Sequence, residues 1–276
     1  MLTLPKPPFS VLDVLAGSGS GARIRSLLGI GDVLLRVERE YESSAVDSTL
    51  HMFATSYLEI SQGHTASLRW VYSARVARKD RPGRSFYNSL RAAAPRGRCP
   101  LCLHREVGAL DHYLPKSQYP HLAVTPLNLV PICVVCNGKK GSYVSMQSVE
   151  QPLHPYFDDL GGADWLVCVL HEVVGAPLTF GSSAPQYWSR ELAARVTHHF
   201  TRLELNDLYS ANAATLLGNI RLQLARALDF SGPTCVRDLL CEMAVSYRSN
   251  GAEPWSVVSL EAWAKSDWFC EGGFLA

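Results

Sequence analysis

The chain has 276 residues, 47% of them hydrophobic and 18% charged, with a formal net charge of +1. That is enough apolar chain to bury a core, as one large domain or two small ones, and it excludes a disordered or low-complexity protein. No apolar run reaches the ~20 residues of a membrane span, and the start MLTLPKPPFS lacks the basic and apolar regions of a secretory leader, so a cytoplasmic protein with eight reduced cysteines is expected.

Taken in order, residues 1–22 carry Pro5, Pro7, Pro8 and a GSGSG run and read as an arm and a loop. No Lys-Ser or Lys-Thr follows the glycines, which excludes a P-loop. Residues 23–42 allow one or two short helices around a break at 29–31. A helix is predicted over 45–60 with Val46, Leu50, Phe53 and Leu58 roughly on one side. Another runs from 64 to about 79 on a stripe of Leu68, Val71, Tyr72 and Val76, and after Pro82-Gly83 a further one covers 86–94. Ten Arg or Lys fall between positions 69 and 105 against one acid, Asp80. This basic block, with Arg84 and Arg91 as candidate contacts, suits a nucleic-acid backbone; the plainer reading is a solvated helix face.

Residues 99–141 hold two C-x-x-C pairs, Cys99/Cys102 and Cys133/Cys136, with thirty residues between them. Two short-spaced thiolate pairs are how a chain closes a tetrahedral zinc site, and the metal then staples a segment too short for a core of its own. Between the pairs, Leu110-Asp111-His112-Tyr113 alternates as a short strand does, and Asn128-Leu129-Val130-Pro131 reads as a second. The residues after Cys136 start a helix with Asn137 and Lys140 on its first turn. In this strand, loop, strand, helix unit, Asp111, His112 and Asn137 face one cleft. Asp111 and the Asn137 amide oxygen suit a hard divalent cation, Mg²⁺ or Mn²⁺. His112 suits proton abstraction from water, and Lys139 or Lys140 suits a phosphate.

The pattern DH…N…C-x-x-C-N resembles the HNH, or ββα-metal, endonucleases, in the HNN variant with a four-cysteine zinc site that is similar to phage Holliday-junction resolvases of the endonuclease VII type. The resemblance covers about 45 residues. It implies a structural Zn²⁺ on Cys99, Cys102, Cys133 and Cys136, His112 as general base, Asp111 and Asn137 as ligands of the catalytic ion, and Asn128 bracing the loop by backbone hydrogen bonds. The flanks look like those of phage-defence nucleases, including Septu-type HNH subunits that work beside an ATPase.

Beyond the motif, 153–165 is a turn-rich connection in which His154 is a loop histidine or, less favoured, a second phosphate or metal contact. A β-hairpin is predicted from 165–170 and 176–180. Helices follow over 187–203, from 206 to about 229, from 233 to 250 and from Pro254 onward, the second of them on a stripe of Ala213, Leu216, Leu217, Ile220, Leu224 and Leu228. His198 and His199 are adjacent and so point to different sides of a helix, which makes them poor joint metal ligands. From Glu150 onward there are fifteen acids and eight bases, a balance better suited to a protein partner than to nucleic acid. The apolar tail from Trp268 either docks on its own domain or offers a partner surface.

The expected architecture is α+β: mostly helical, with a zinc-stapled ββα motif and a small hairpin. It divides into a basic helical region (1–95), the motif (96–150) and a hairpin plus helical region (151–276). The expected function is metal-dependent hydrolysis of nucleic-acid phosphodiester bonds, DNA ahead of RNA, in defence against phage or foreign DNA. The alternative is a non-catalytic, zinc-dependent nucleic-acid-binding subunit that positions substrate for a partner enzyme.

Overall fold

A computed structural model describes residues 3–160 and 164–276; Met1, Leu2 and part of the 153–165 connection therefore lie outside the described residues. The chain divides into two compact units, Met1–Gly161 and Gly162–Ala276. It is mostly helical with two two-stranded antiparallel sheets. Among the described residues no helix is long and apolar enough to cross a membrane.

The first unit opens with α1 (Val11–Gly17), where sequence reading places a loop. The helix forms because Ser10 and Asp13 close a capping box: the Ser10 hydroxyl accepts from the Asp13 N–H, and the Asp13 carboxylate accepts from the Ser10 N–H at 2.7 Å. Both carboxylate oxygens of buried Glu38 take the next orphan N–H, that of Val11, at 3.1 Å. Burial pushes the Glu38 carboxyl up to about 7.

Helices α2 (Ala22–Leu28) and α3 (Gly31–Val46) flank the expected glycine break. The helix expected over 45–60 does not form. Ser48 adopts a left-handed φ of 57°, which ends α3, and only a 3-10 turn, Leu50–Met52, follows. Leu50 and Phe53 are buried as the stripe required, while Val46 and Leu58 stand in solvent. Helix α4 (Gln62–Val71) is capped by Ser61 and runs into a π turn, Tyr72–Val76, where the Ala77 N–H reaches back to the Tyr72 carbonyl at 2.8 Å. Helix α5 (Arg84–Ala92) completes the helical shell. Leu15, Leu27, Tyr41, Leu68, Leu122 and Leu129 lie in its buried core.

Strands β1 (Ala109–His112) and β2 (Leu129–Ile132) pair antiparallel, with Asp111 opposite Val130 and His112 opposite Leu129. Helix α6 (Val134–Lys140) follows directly. It starts before Cys136, earlier than expected, because the Cys133 thiol caps it by accepting the Cys136 N–H at 3.3 Å. Asn137 and Lys140 consequently sit on its second turn. Gly141, at φ 55° and ψ −141°, ends the helix in a conformation that strains any residue with a Cβ.

In the second unit β3 (Leu166–Leu170) and β4 (Leu178–Ser182) form the expected hairpin, and α7 (Arg190–Arg202) follows. The two helices expected next form one element, α8 (Leu205–Ser249), broken at Gly232 (φ 77°, ψ −168°) just before Pro233. Helices α9 (Pro254–Lys265) and α10 (Asp267–Cys270) end the chain. The apolar tail packs on its own unit: Phe269 stacks on Trp263 with centroids 5.5 Å apart, and Phe274 lies 5.2 Å from Phe269.

Candidate functional site

Two local structures bring the four cysteines together. Around Cys99 the chain makes a tight knuckle: the Cys99 N–H donates to the Arg105 carbonyl, and the Leu103 N–H donates to the Cys99 carbonyl, both at 2.8 Å. Leu103 takes a left-handed φ of 53° to close it. Cys133 and Cys136 come from the first turn of α6. Gly108 lets the two meet, since a Cβ there would lie 2.9 Å from the Val134 side chain.

Among the described residues, the Cys99, Cys102, Cys133 and Cys136 sulfurs form a cluster able to hold a metal ion, all four buried and within 4.8 Å of one another. Tetrahedral zinc, with Zn–S near ~2.3 Å, wants sulfurs about 3.8 Å apart, and the Cys102 and Cys133 sulfurs are 4.0 Å apart. The donor set therefore fits a structural zinc. Without a cation the sulfurs share protons as one group. Contact with Cys133 draws the Cys102 thiol down, and contact with Cys102 pushes Cys99 and Cys136 up. The metal would take the place of those protons.

The hairpin beside this cluster carries the other predicted residues. Asp111 meets α6, where its Oδ2 lies 2.8 Å from the Lys140 ammonium in a mostly buried ion pair. Burial raises the Asp111 carboxyl above the usual carboxylate range, with Lys140 pulling the other way. Lys140 also donates to the His112 carbonyl at 3.0 Å. Asn137, half-buried, precedes Lys140 by three residues and so shares its face of α6. Lys139, the other predicted phosphate lysine, is half-buried on the same last turn of the helix.

His112 is buried on the opposite side of the strand, as the alternation of β1 requires. Its Nε2 lies 2.9 Å from the Ala123 carbonyl. A carbonyl only accepts, so Nε2 carries the hydrogen and Nδ1 keeps its lone pair. Burial pulls the imidazole pKa down to about 3. The Tyr72 ring packs edge-on against it at 4.4 Å. Asn128, fully buried, braces the intervening loop: its Oδ1 accepts from the Leu114 N–H at 2.8 Å, and its Nδ2 donates to the Leu114 carbonyl at 3.0 Å.

Sequence reading did not single out Tyr72, Ala123 or Lys116. Tyr72 is in the expected apolar stripe, and the π turn places it against His112. Exposed Lys116 sits 4.8 Å over the Tyr72 ring, and its charge reaches both Asp111 and His112. The one signal for it was a lysine in the loop just past Asp-His. His154 lies elsewhere, buried under Tyr113, with Nδ1 accepting from the Tyr156 N–H at 3.2 Å and Nε2 3.0 Å from the Tyr41 hydroxyl. Both ring nitrogens are thereby used in packing the unit. Arg84 and Arg91 are half-buried and donate to the Ala77 and Val107 carbonyls at 2.5 and 2.7 Å. The exposed bases of the block are Arg69, Arg78, Lys79, Arg81, Arg96 and Arg98.

No family model matches the chain, and no solved structure matches it. Protein ea31 of Escherichia phage lambda is 28% identical over 179 residues, 63% of this chain and 60% of that protein. The Septu protein PtuB of Bacillus thuringiensis is 45% identical over 49 residues, 18% of each chain. The chain thus spans about three fifths of the length of the first relative and under a fifth of the second.

Proposed function

We propose that the chain is a metal-dependent endonuclease of the HNH, ββα-metal type that hydrolyses phosphodiester bonds in DNA. The observation that carries the reading is the tethered imidazole. His112 is held neutral by burial and oriented by the Ala123 carbonyl, one residue from a carboxylate that already accepts a cation. An imidazole so fixed keeps its Nδ1 lone pair for a proton, and an anionic phosphate beside it would offset the burial that depresses its basicity. Two neighbours that emerge on opposite faces of a strand are both reached only across its end. The scissile phosphate therefore lies where β1 gives way to the loop at Tyr113.

There His112 Nδ1 takes the proton of the attacking water, and the Ala123 carbonyl keeps the resulting imidazolium in place. A divalent ion, Mg²⁺ or Mn²⁺, supplies positive charge to the phosphate and the leaving oxygen when it is bound, with Asp111 and Asn137 as its protein ligands. Lys116, held over Tyr72 at the mouth of the site, meets the phosphate. Asn128 acts through the loop and not on the substrate. The four cysteines hold zinc and fix the strand and helix against each other.

The proposed division of labour follows the chain. The basic helices of 1–95 track the nucleic-acid backbone, 96–150 carries the chemistry, and the acidic 151–276 region serves a protein partner. Similarity to a Septu protein over 49 residues supports a role in defence against phage, and the ATPase partner is part of the same proposal. The test is nicking of supercoiled plasmid with Mg²⁺ or Mn²⁺, with and without any ATPase that co-purifies. Nicking that disappears in His112→Ala supports the enzyme. DNA binding without nicking in either condition, unaltered by that substitution, replaces it with a zinc-dependent binding subunit, the reading that the exposed basic residues also favour.

A further inference from the structure

A buried lysine standing against the carboxylate proposed to ligate the catalytic ion is unexpected, because its ammonium already holds one of the two Asp111 oxygens and would repel a second cation beside it. Lys140 is 5% exposed, its ammonium is 2.8 Å from Asp111 Oδ2, and its second acceptor is the His112 carbonyl at 3.0 Å. The side chain is fixed by the helix: Lys140 follows Asn137 by three residues and precedes the Gly141 stop, so its stem runs inward with the Cys133 and Cys136 face. A lysine that served only to meet DNA would keep its head in water, as long cationic side chains ordinarily do. A buried ammonium persists where a carboxylate compensates it, and removing either partner leaves an unpaired buried charge. The Lys140 head group also lies 6.0 Å from the Tyr113 ring, a second place where a cation is tolerated.

We propose that Lys140 is an internal counter-cation that occupies the seat beside Asp111 in the resting protein, and that a divalent ion must displace it before Asp111 ligates the ion. The inference rests on Asp111 being a metal ligand, as proposed above. Lys140 is then a positioning residue that sets how tightly the site takes a divalent ion. The displaced ammonium stays tethered to the His112 carbonyl or moves over the Tyr113 ring. Asp111 exchanges one cation for another and is at no stage left as a bare buried anion.

The experiment measures Mn²⁺ binding to the zinc-loaded full chain by calorimetry, in wild type, Lys140→Met and Lys140→Arg, each with and without Asp111→Asn. Lys140→Met is expected to bind Mn²⁺ about tenfold tighter than wild type or more, because no cation then opposes the ion. Lys140→Arg keeps the charge and is expected to gain nothing. The gain in Lys140→Met should vanish with Asp111→Asn. Equal, Asp111-dependent affinities in wild type and Lys140→Met would overturn the proposal while leaving the metal reading intact. No Asp111-dependent binding in any variant would overturn both. Should Lys140→Met lose zinc or fail to fold, the native chain decides. With ¹⁵N-labelled lysine, the Lys140 ammonium resonance, identified by its absence in Lys140→Arg, should move along the Mg²⁺ saturation curve. A resonance that stays still while Mg²⁺ binds counts against displacement.

Discussion

Asn128 and His121 bracket what a polar side chain does when it is fully enclosed. The Asn128 amide is satisfied by the Leu114 N–H and by the Leu114 and Leu122 carbonyls. Truncation leaves those buried backbone groups bare, so Asn128→Ala should cost about 3 kcal/mol of unfolding free energy, measured by urea titration of the zinc-loaded protein. His121 is the reverse case. It is buried among the Phe53, Tyr57 and Tyr119 rings, and neither ring nitrogen has a hydrogen-bond partner among the described residues. Burial takes its pKa from the ordinary 6.5 down to about 4. Between those values the unfolded chain binds the proton and the folded one does not. Its contribution is therefore fully present above about pH 6.5 and is lost as pH falls toward about 4, by about 3 kcal/mol in all. His121→Phe removes that term. Its stability advantage over wild type should grow steadily from pH 7 to pH 4, and a constant difference would show that His121 does not carry the charge-burial penalty.

At the scale of elements, the short helix α6 is held from both ends: Cys133 caps it, Gly141 stops it, and the ion pair of Lys140 with Asp111 pins it to β1. Cys133 is at once a cap and a proposed zinc ligand, and one substitution separates the two. Serine caps a helix as well as a thiol does but does not replace a thiolate on zinc. If the cap dominated, Cys133→Ser would be mild. The expected result is severe: zinc lost on purification and the near-ultraviolet signal of the first unit collapsed, because structural zinc supplies about 10 kcal/mol or more of folding energy in small sites. The π turn at Tyr72–Val76 works similarly from the other side of β1, seating an aromatic ring against His112 and a lysine above that ring.

For the whole molecule, charge is distributed by burial as much as by sequence. Ten bases lie between residues 69 and 105, yet Arg84 and Arg91 are half-buried and each turns one guanidinium N–H to a carbonyl of its own unit. Arg78, Lys79 and Arg81 stand in solvent on the same segment. Reversing those three to glutamate should weaken DNA binding and reduce the slope of log affinity against log salt by about 2 to 3, followed by fluorescence anisotropy between about 50 and about 200 mM salt. Arg91→Glu should instead lower stability, because the Val107 carbonyl loses its donor, and shift the salt slope little.

Spacing alone determined the two C-x-x-C pairs, the paired strands that carry Asp111 and Leu129 (Asn128, expected to open the second, ends the 3-10 turn before it), the β3–β4 hairpin, the stripe of α8 and the proline that opens α9. These are local features: a period or a turn residue acts within a few positions of itself, and sequence records that directly. The capping box at Ser10 and Asp13 was equally local and went unread under the nearby prolines and glycines. The helix expected over 45–60 failed for a subtler reason, since Leu50 and Phe53 face inward at helical spacing with only a single 3-10 turn between them. Tertiary structure alone decided that Lys140 lies buried on Asp111, that the Ala123 carbonyl fixes the His112 tautomer, and that Arg84 and Arg91 are half-buried against carbonyls of their own unit. Each depends on what a distant segment places opposite a side chain, and on the cost of taking a charge out of water there. Periodicity says which way a residue faces and is silent on what it meets.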